Sequence, residues 1–318
     1  MRILYIYKDY FGRRKLYGQY LKQCGHKVIF LEKKHKTEKN QIKIEEIKKA
    51  KPDLIWFLSP YYVKYNPIAM EYIHSKNIPI TFYHGVGGRF PYTDWLDVWK
   101  QFTIAFPVAY DLHEYFIENN INSYHIPFGF HPNQYFRCIK PKKYNISFAG
   151  TVVPSVNGKE DQRCIYLNSL RKYKKVAAFG ESFKNKLEKN IIIRKCKSHE
   201  EQRNAYALTK INLELPFFSA PCDFMKDKYH FRNRFFEIPA TGNFLLSLKT
   251  KEFLEIFDED TIGYYDNNVE SLKSSVDKYL KDKKIRNKMT EKAYKLVHQK
   301  HTFLHRFKKM SKILKQNL

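Results

Sequence analysis

Short, continuously apolar runs alternate with segments of helical period along almost the whole chain. In the first half, residues 2–7, 27–31, 52–58, 80–83, 103–106 and 124–126 read as strands, with helices between them at 13–24, 36–50, 68–75, 95–101 and 110–119. The strands lack the in-out alternation of a sheet with one wet face. Both faces must therefore be covered, which predicts a parallel sheet between helical layers. Prolines and a glycine punctuate residues 126–132 and 141–143, placing a linker at about 136–143. At residue 144 the strand-then-glycine pattern starts again and runs through strands at 144–151, 175–179, 191–194, 210–215, 243–248 and 261–265. Helices at 162–173, 269–281 and 283–298 belong to this second series. The expected fold class is α/β, with two Rossmann-like domains, each a parallel sheet flanked by helices. The first covers residues 1–140 and the second 141–300, and a C-terminal helix at 301–318 is expected to pack back on the first.

The second series turns on residues 234–242, which read as a helix, a tight turn and the start of a strand. Arg234 and Glu237 lie one helical turn apart on the same face, and Gly242 sits where a helix stop wants positive φ. A carboxylate can accept from two vicinal hydroxyls while an Arg forks onto phosphate oxygens, so the pair suits a nucleoside diphosphate. Spacing alone favours the plainer reading, an ion pair on the surface of an amphipathic helix.

In parallel sheets ligands bind beyond the carboxyl ends of the strands. Asp9 follows the first strand. His84, with Gly87, Gly88 and Arg89 in the glycine-rich run after it, follows the fourth, where backbone amides and a cation could meet a ligand. In the second series, Gly150 and Thr151 end a strand and Arg163 opens the next helix, an arrangement suited to an anion. Each has a plain alternative: a helix cap for Asp9, a loop histidine for His84, a solvated helix residue for Arg163.

The formal net charge of +26 favours polyanionic partners without choosing among them. Lys, Asn, Ile and Tyr are abundant together throughout, so the charge reads partly as compositional bias, and no nucleic-acid-binding signature accompanies it; nucleic acid is not expected. The basic helix at 302–318 leaves room for peripheral contact with an anionic membrane, although a solvated face fits it better. No run approaches a membrane span, and residues 1–7 are too short and too soon charged for a signal peptide, so a cytoplasmic protein is expected. Five cysteines, Cys24, Cys138, Cys164, Cys196 and Cys222, show neither a disulfide framework nor metal-ligand spacing.

The second half resembles the CgeB-like (spore-maturation type) glycosyltransferases of the two-domain GT-B fold. The matching pieces come in order: Phe148-Ala149-Gly150 with Arg163, Gly180, residues 210–213, residues 234–242, Phe253 and Phe257, residues 264–266, Tyr279-Leu280, Arg286, and residues 301–303 with Arg306. The resemblance implies a hexosyltransferase-like enzyme working in a cleft between its domains, with the nucleotide-sugar donor held by the C-terminal domain. Glu237 would take the ribose hydroxyls, Arg234 and Arg163 the diphosphate, and Gly150 and Thr151 the backbone near the phosphates. The segment containing His199 would lie near the base. The acceptor would be a glycan, lipid-linked or protein hydroxyl. Relatives with a paired-glutamate motif carry a second Glu where this chain has Tyr229, so that motif gives no stereochemical outcome. No acidic pair suggests a donor metal, and no metal or cofactor is expected; Arg163, Arg234 and Lys226 or Lys228 are the candidates to stabilise the leaving diphosphate. For an inverting transfer Asp9 is the first choice of base and His84 the second. The rival readings are a nucleotide-sugar epimerase or hydrolase on the same fold, and a basic nucleic-acid or membrane-surface binding protein.

Overall fold

A computed structural model describes residues 1–8, 13–33, 41–84, 95–150, 162–180, 186–215 and 232–318, the side chains of Arg13, Arg14 and His84 excepted. The chain divides into two compact units, Met1–Pro127 with Phe303–Leu318, and Phe128–Thr302.

The first unit runs β1 (Arg2–Tyr7), α1 (Arg13–Gln23), β2 (Lys27–Glu32), α2 (Ile44–Ala50), β3 (Leu54–Phe57), α3 (Tyr61–Lys64), α4 (Pro67–Ser75), β4 (Ile80–His84), α5 (Leu96–Trp99), β5 (Ile104–Pro107) and α6 (Tyr110–Glu118). Its five strands pair in parallel in the order β2-β1-β3-β4-β5. Every residue of β3 and β5 is buried, as expected for strands covered on both faces. The strand expected at 124–126 is instead an irregular segment lying along β5. The Tyr124 and Ile126 amides donate to the Ala105 and Pro107 carbonyls, but only one bridge, Ala105 to Ser123, forms.

The second unit runs β6 (Tyr144–Ala149), α7 (Gln162–Ser169), β7 (Val176–Phe179), β8 (Ile192–Arg194), α8 (His199–Ala207), β9 (Thr209–Glu214), α9 (Asn233–Ala240), β10 (Leu245–Leu248), α10 (Lys251–Leu254), β11 (Gly263–Tyr265), α11 (Val269–Lys281) and α12 (Lys283–Lys300). Its six parallel strands are ordered β11-β10-β9-β6-β7-β8. Successive residues of β6 point to opposite faces. Ile146 and Phe148 join a core with Leu167 of α7 and Val276 of α11. Ala149 joins the other core, with Phe235 of α9, Tyr206 of α8 and Val297 of α12, and Tyr144, at the first position of the strand, packs in that core as well.

The final helix, α13 (Phe303–Asn317), belongs to the first unit and packs on α1. Phe307 is fully buried and stacks on Trp56 at 5.7 Å and Tyr20 at 5.7 Å. Residues 128–140, assigned by sequence to the first domain, lie in the second unit. There the Phe130 amide meets the His301 carbonyl, Tyr135 is buried in the core, and the Cys138 amide donates to the Thr241 carbonyl at 3.0 Å. The proline-rich composition marked a connection, but backbone hydrogen bonds hold that stretch down.

Candidate functional site

Helix α9 is short and sided. Phe235, Phe236, Ile238 and Ala240 bury its apolar face, and Thr241 ends it. Gly242 follows with φ +69°, and the Gly242 and Asn243 amides return to the Pro239 and Ile238 carbonyls. Such a left-handed close satisfies the last helical carbonyls and turns the chain directly into β10.

The start of this helix faces the carboxyl ends of β6 and β9, the adjacent strands at which the sheet order reverses. This is the topological switch point, where open α/β sheets present ligands. The Arg234 Nε donates to the Glu214 carboxylate at the end of β9, and an Nη donates to the Ala149 carbonyl at the end of β6 at 2.8 Å. The guanidinium also lies 4.6 Å from the Phe148 ring centroid. A Cβ on Gly150 would stand 2.6 Å from an Arg234 nitrogen and 2.8 Å from the Phe148 ring, so a side chain there must displace one of them.

Glu214 is 5% exposed. Burial lifts its carboxyl above the ordinary value, and the guanidinium groups of Arg234, Arg232 and Arg163 oppose the shift. Arg163, 3% exposed, comes from the first turn of α7. One carboxylate therefore sits among three permanent cations, a local excess of positive charge at a strand-end crevice.

One turn beyond Arg234, Glu237 is 2% exposed, and its charge helps raise the Tyr206 hydroxyl and the Cys196 thiol, both shifted chiefly by burial. A chain of polar groups lies beside it. The Tyr135 hydroxyl donates to Gln202 Oε1 at 2.7 Å and stands 3.0 Å from His199 Nδ1, while Gln202 Nε2 donates to the Tyr206 hydroxyl at 2.7 Å. A phenol has one proton, and Tyr135 gives it to Gln202. With the Tyr135 proton on Gln202, the contact at Nδ1 is one that a ring N–H of His199 fills as donor. Helix α8 holds His199 through a capping box between Ser198 and Glu201.

The structure thus gathers Gly150, Arg163 and Arg234 around Glu214, and it groups His199 with Glu237 by way of Tyr206. The reading of Arg234 and Glu237 as an exposed ion pair is overturned, because both are withdrawn from solvent and Arg234 pairs with Glu214. Asp9, Gly87, Gly88, Arg89, Thr151, and lysines 226 and 228 lie outside the described residues, as does the His84 side chain; the His84 backbone ends β4. Sequence reasoning missed Glu214, Arg232 and Tyr135. A signal existed for Glu214: it is a carboxylate at the end of an apolar strand, the same criterion that singled out Asp9. Among the described residues no group of His, Cys, Asp and Glu side chains could hold a metal ion. No described helix is long and apolar enough to cross a membrane.

Residues 163–312, just under half of the chain, match a family model described as glycosyl transferase-like. A comparison with curated protein sequences found no match. Among solved structures, sucrose-phosphate synthase from Thermosynechococcus elongatus superposes with a TM-score of 0.71 at 10% identity, over 99% of this chain and 98% of that one. A glycosyltransferase from Rickettsia africae ESF-5 gives 0.69 at 16% identity, over 99% and 98%. Anabaena HepE, solved with UDP-glucose, gives 0.69 at 10% identity, over 99% of each chain. With two parallel sheets flanked by helices and likeness over nearly its full length, the chain has the fold of the GT-B glycosyltransferases.

Proposed function

We propose that the protein is a glycosyltransferase of the CgeB-like type that moves a hexosyl group from a nucleoside-diphosphate sugar to a hydroxyl of a glycan, lipid-linked or protein acceptor. The observation that carries this reading is the buried Glu214–Arg234 pair with Arg163 and Arg232 at the β6–β9 switch point, one helical turn from the buried Glu237. The family-model match and the UDP-glucose bound by HepE support a nucleotide-sugar donor.

In this reading the leaving diphosphate lies against Arg163 and Arg234, whose fixed positive charge stabilises the negative charge that develops as the glycosidic bond breaks. Glu237 accepts from the ribose hydroxyls, and His199, with its orientation set by Tyr135, faces the base. Guanidinium groups neutralise the diphosphate charge that a donor metal would otherwise neutralise, so transfer is metal-independent. Asp9 or His84 supplies the base for an inverting transfer.

Calorimetric titration with UDP, GDP and ADP tests the donor site. Glu237→Gln is expected to weaken whichever nucleotide binds by about 10-fold or more, the loss of a charge-assisted hydrogen bond. Arg163→Gln should weaken it similarly, and EDTA should change neither binding nor donor turnover. Unchanged affinity in both variants would remove the site assignment, and turnover abolished by EDTA would remove metal independence.

A further inference from the structure

The second unit has a cavity of about 670 Å³ at the other end of its sheet. Lys142 precedes β6, Lys210 lies at the start of β9, and Lys283 and Arg286 come from the first turn of α12; Arg137 and Glu291 complete the charged lining. Lys210 and Glu214 share β9 four residues apart, about 13 Å at the rise of an extended strand, so this cavity is separate from the Arg234 site.

The cations are poorly compensated. Arg137 is paired with Glu291 at 2.6 Å, and Asp282 attracts Arg286, leaving two carboxylates against five cations. Lys142 donates to the Ala207 carbonyl at 2.8 Å and to Asn243 Oδ1 at 2.7 Å. Its ammonium has a third proton for the cavity. Burial and the neighbouring Arg286 lower Lys142 to about 8, against a smaller opposing effect of Cys138. Arg286 is itself buried, with one Nη donating to the Tyr279 and Leu280 carbonyls.

Helix α12 adds an independent argument. Its first turn carries Lys283, Lys284 and Arg286, and the Asp282 carboxylate at the N-cap, which accepts from the Ile285 amide, is the one acidic group set against them. Cations at the positive end of a helix dipole are unfavourable, and an anion there relieves both the dipole and the mutual repulsion of the side chains.

We propose that this cavity is a second ligand site, taking a small soluble phosphorylated molecule whose phosphate oxygens lie among Lys142, Lys210, Lys283 and Arg286. Its volume lies in the range that holds a nucleotide or sugar phosphate.

Lysine footprinting tests it. The folded protein is treated with an amine-acylating ester at about pH 8, and each lysine is quantified by peptide mass spectrometry with and without inorganic pyrophosphate. Pyrophosphate should slow acylation of Lys142 about fivefold, because a one-unit rise from a pKa near the working pH cuts the neutral amine from about one half to about one eleventh, and it should also protect Lys210. Exposed Lys308 on α13 should not respond. Protection should persist in Arg163→Gln, which separates this site from the donor reading, and fall in Lys283→Glu, an exposed position whose fold is checked by circular dichroism. Equal effects at Lys308, protection unchanged in Lys283→Glu, or protection lost in Arg163→Gln would overturn the proposal. Vesicles containing phosphatidylglycerol should protect less than pyrophosphate; stronger protection by vesicles would reassign the patch to a membrane surface and overturn it as well.

Discussion

The two units are built on the same plan and use their strand ends differently. In the second, the adjacent central strands end on Ala149, whose carbonyl takes Arg234, and on the buried carboxylate Glu214. In the first, β1, β3 and β5 end on Tyr7, Phe57 and Pro107, and the one carboxylate at a described strand end, Glu32 of β2, is exposed. Buried charge is tolerated only when paired, so a protein that keeps an Arg-Glu pair at a switch point maintains it against a desolvation cost. The first unit hides a different kind of titratable group. His26, just before β2, lies 3.0 Å from Ser311 of α13, and His125, in the irregular segment along β5, lies 3.0 Å from the Val108 carbonyl. The contrast is between a permanent charged pair held at one unit's switch point and histidines held neutral by burial in the other.

Breaking the permanent pair should have the largest effect. Arg234→Ala leaves Glu214 buried without its partner and should destabilise the second unit by about 3–5 kcal/mol, with part of that recovered in Arg234→Ala/Glu214→Ala. The chain's three tryptophans, Trp56, Trp95 and Trp99, all lie in the first unit. Tryptophan fluorescence therefore reports that unit alone, whereas far-ultraviolet circular dichroism reports both. In denaturant the dichroism transition should move to lower concentration and the fluorescence transition should not. A coincident shift of both would erase the contrast between the units. Arg234 is consequently a poor single test of ligand binding, and Glu237 and Arg163 are better ones.

The neutral groups should respond to pH in the opposite compartment. Burial lowers His26 and His125 from 6.5 to about 4, aided by nearby positive charges; at His125 the Val108 carbonyl opposes the shift. The unfolded chain then binds more protons than the folded one between these values. The stabilisation is fully present above about pH 6.5 and is lost as pH falls toward 4, by roughly 1–3 kcal/mol for each histidine. The fluorescence midpoint should fall between pH 7 and about pH 4.5, and His26→Gln/His125→Gln should flatten that slope. A slope unchanged in the double variant would assign the acid sensitivity elsewhere.

Local pattern carried the helix, turn and strand of residues 234–248 because everything needed lies within fifteen residues: an apolar face on α9, a glycine at the left-handed close, and a buried strand after it. The alternation of strands and helices likewise exposed both sheets. What pattern did not carry was partnership across distance. Arg234 looks toward Glu237 in the sequence, yet its carboxylate is Glu214, twenty residues back and on another strand. Tyr135 reads as the residue just before a linker, but its ring is core and its hydroxyl organises His199 and Gln202. Such pairings depend on which strands are neighbours, and strand order is set by the packing of the whole sheet rather than by any one segment.

Gly150 offers the finest probe of the contrast, because it changes one contact at the second unit's switch point. A methyl group there would meet the end of the Arg234 side chain at 2.6 Å and the Phe148 ring at 2.8 Å. The guanidinium is the more mobile of the two, so Gly150→Ala should push it away from the Ala149 carbonyl. The resulting overpacking costs about 1 kcal/mol, far less than removing the arginine. Ligand binding should suffer more than stability, since the displaced guanidinium keeps its charge near Glu214 but loses the position from which it meets a diphosphate. Affinity for the preferred nucleoside diphosphate should fall about tenfold while the dichroism midpoint moves little. The reverse pattern, stability lost with affinity kept, would show that Arg234 serves the sheet and not the ligand, and the charge at this switch point would then be as purely structural as the histidines of the first unit.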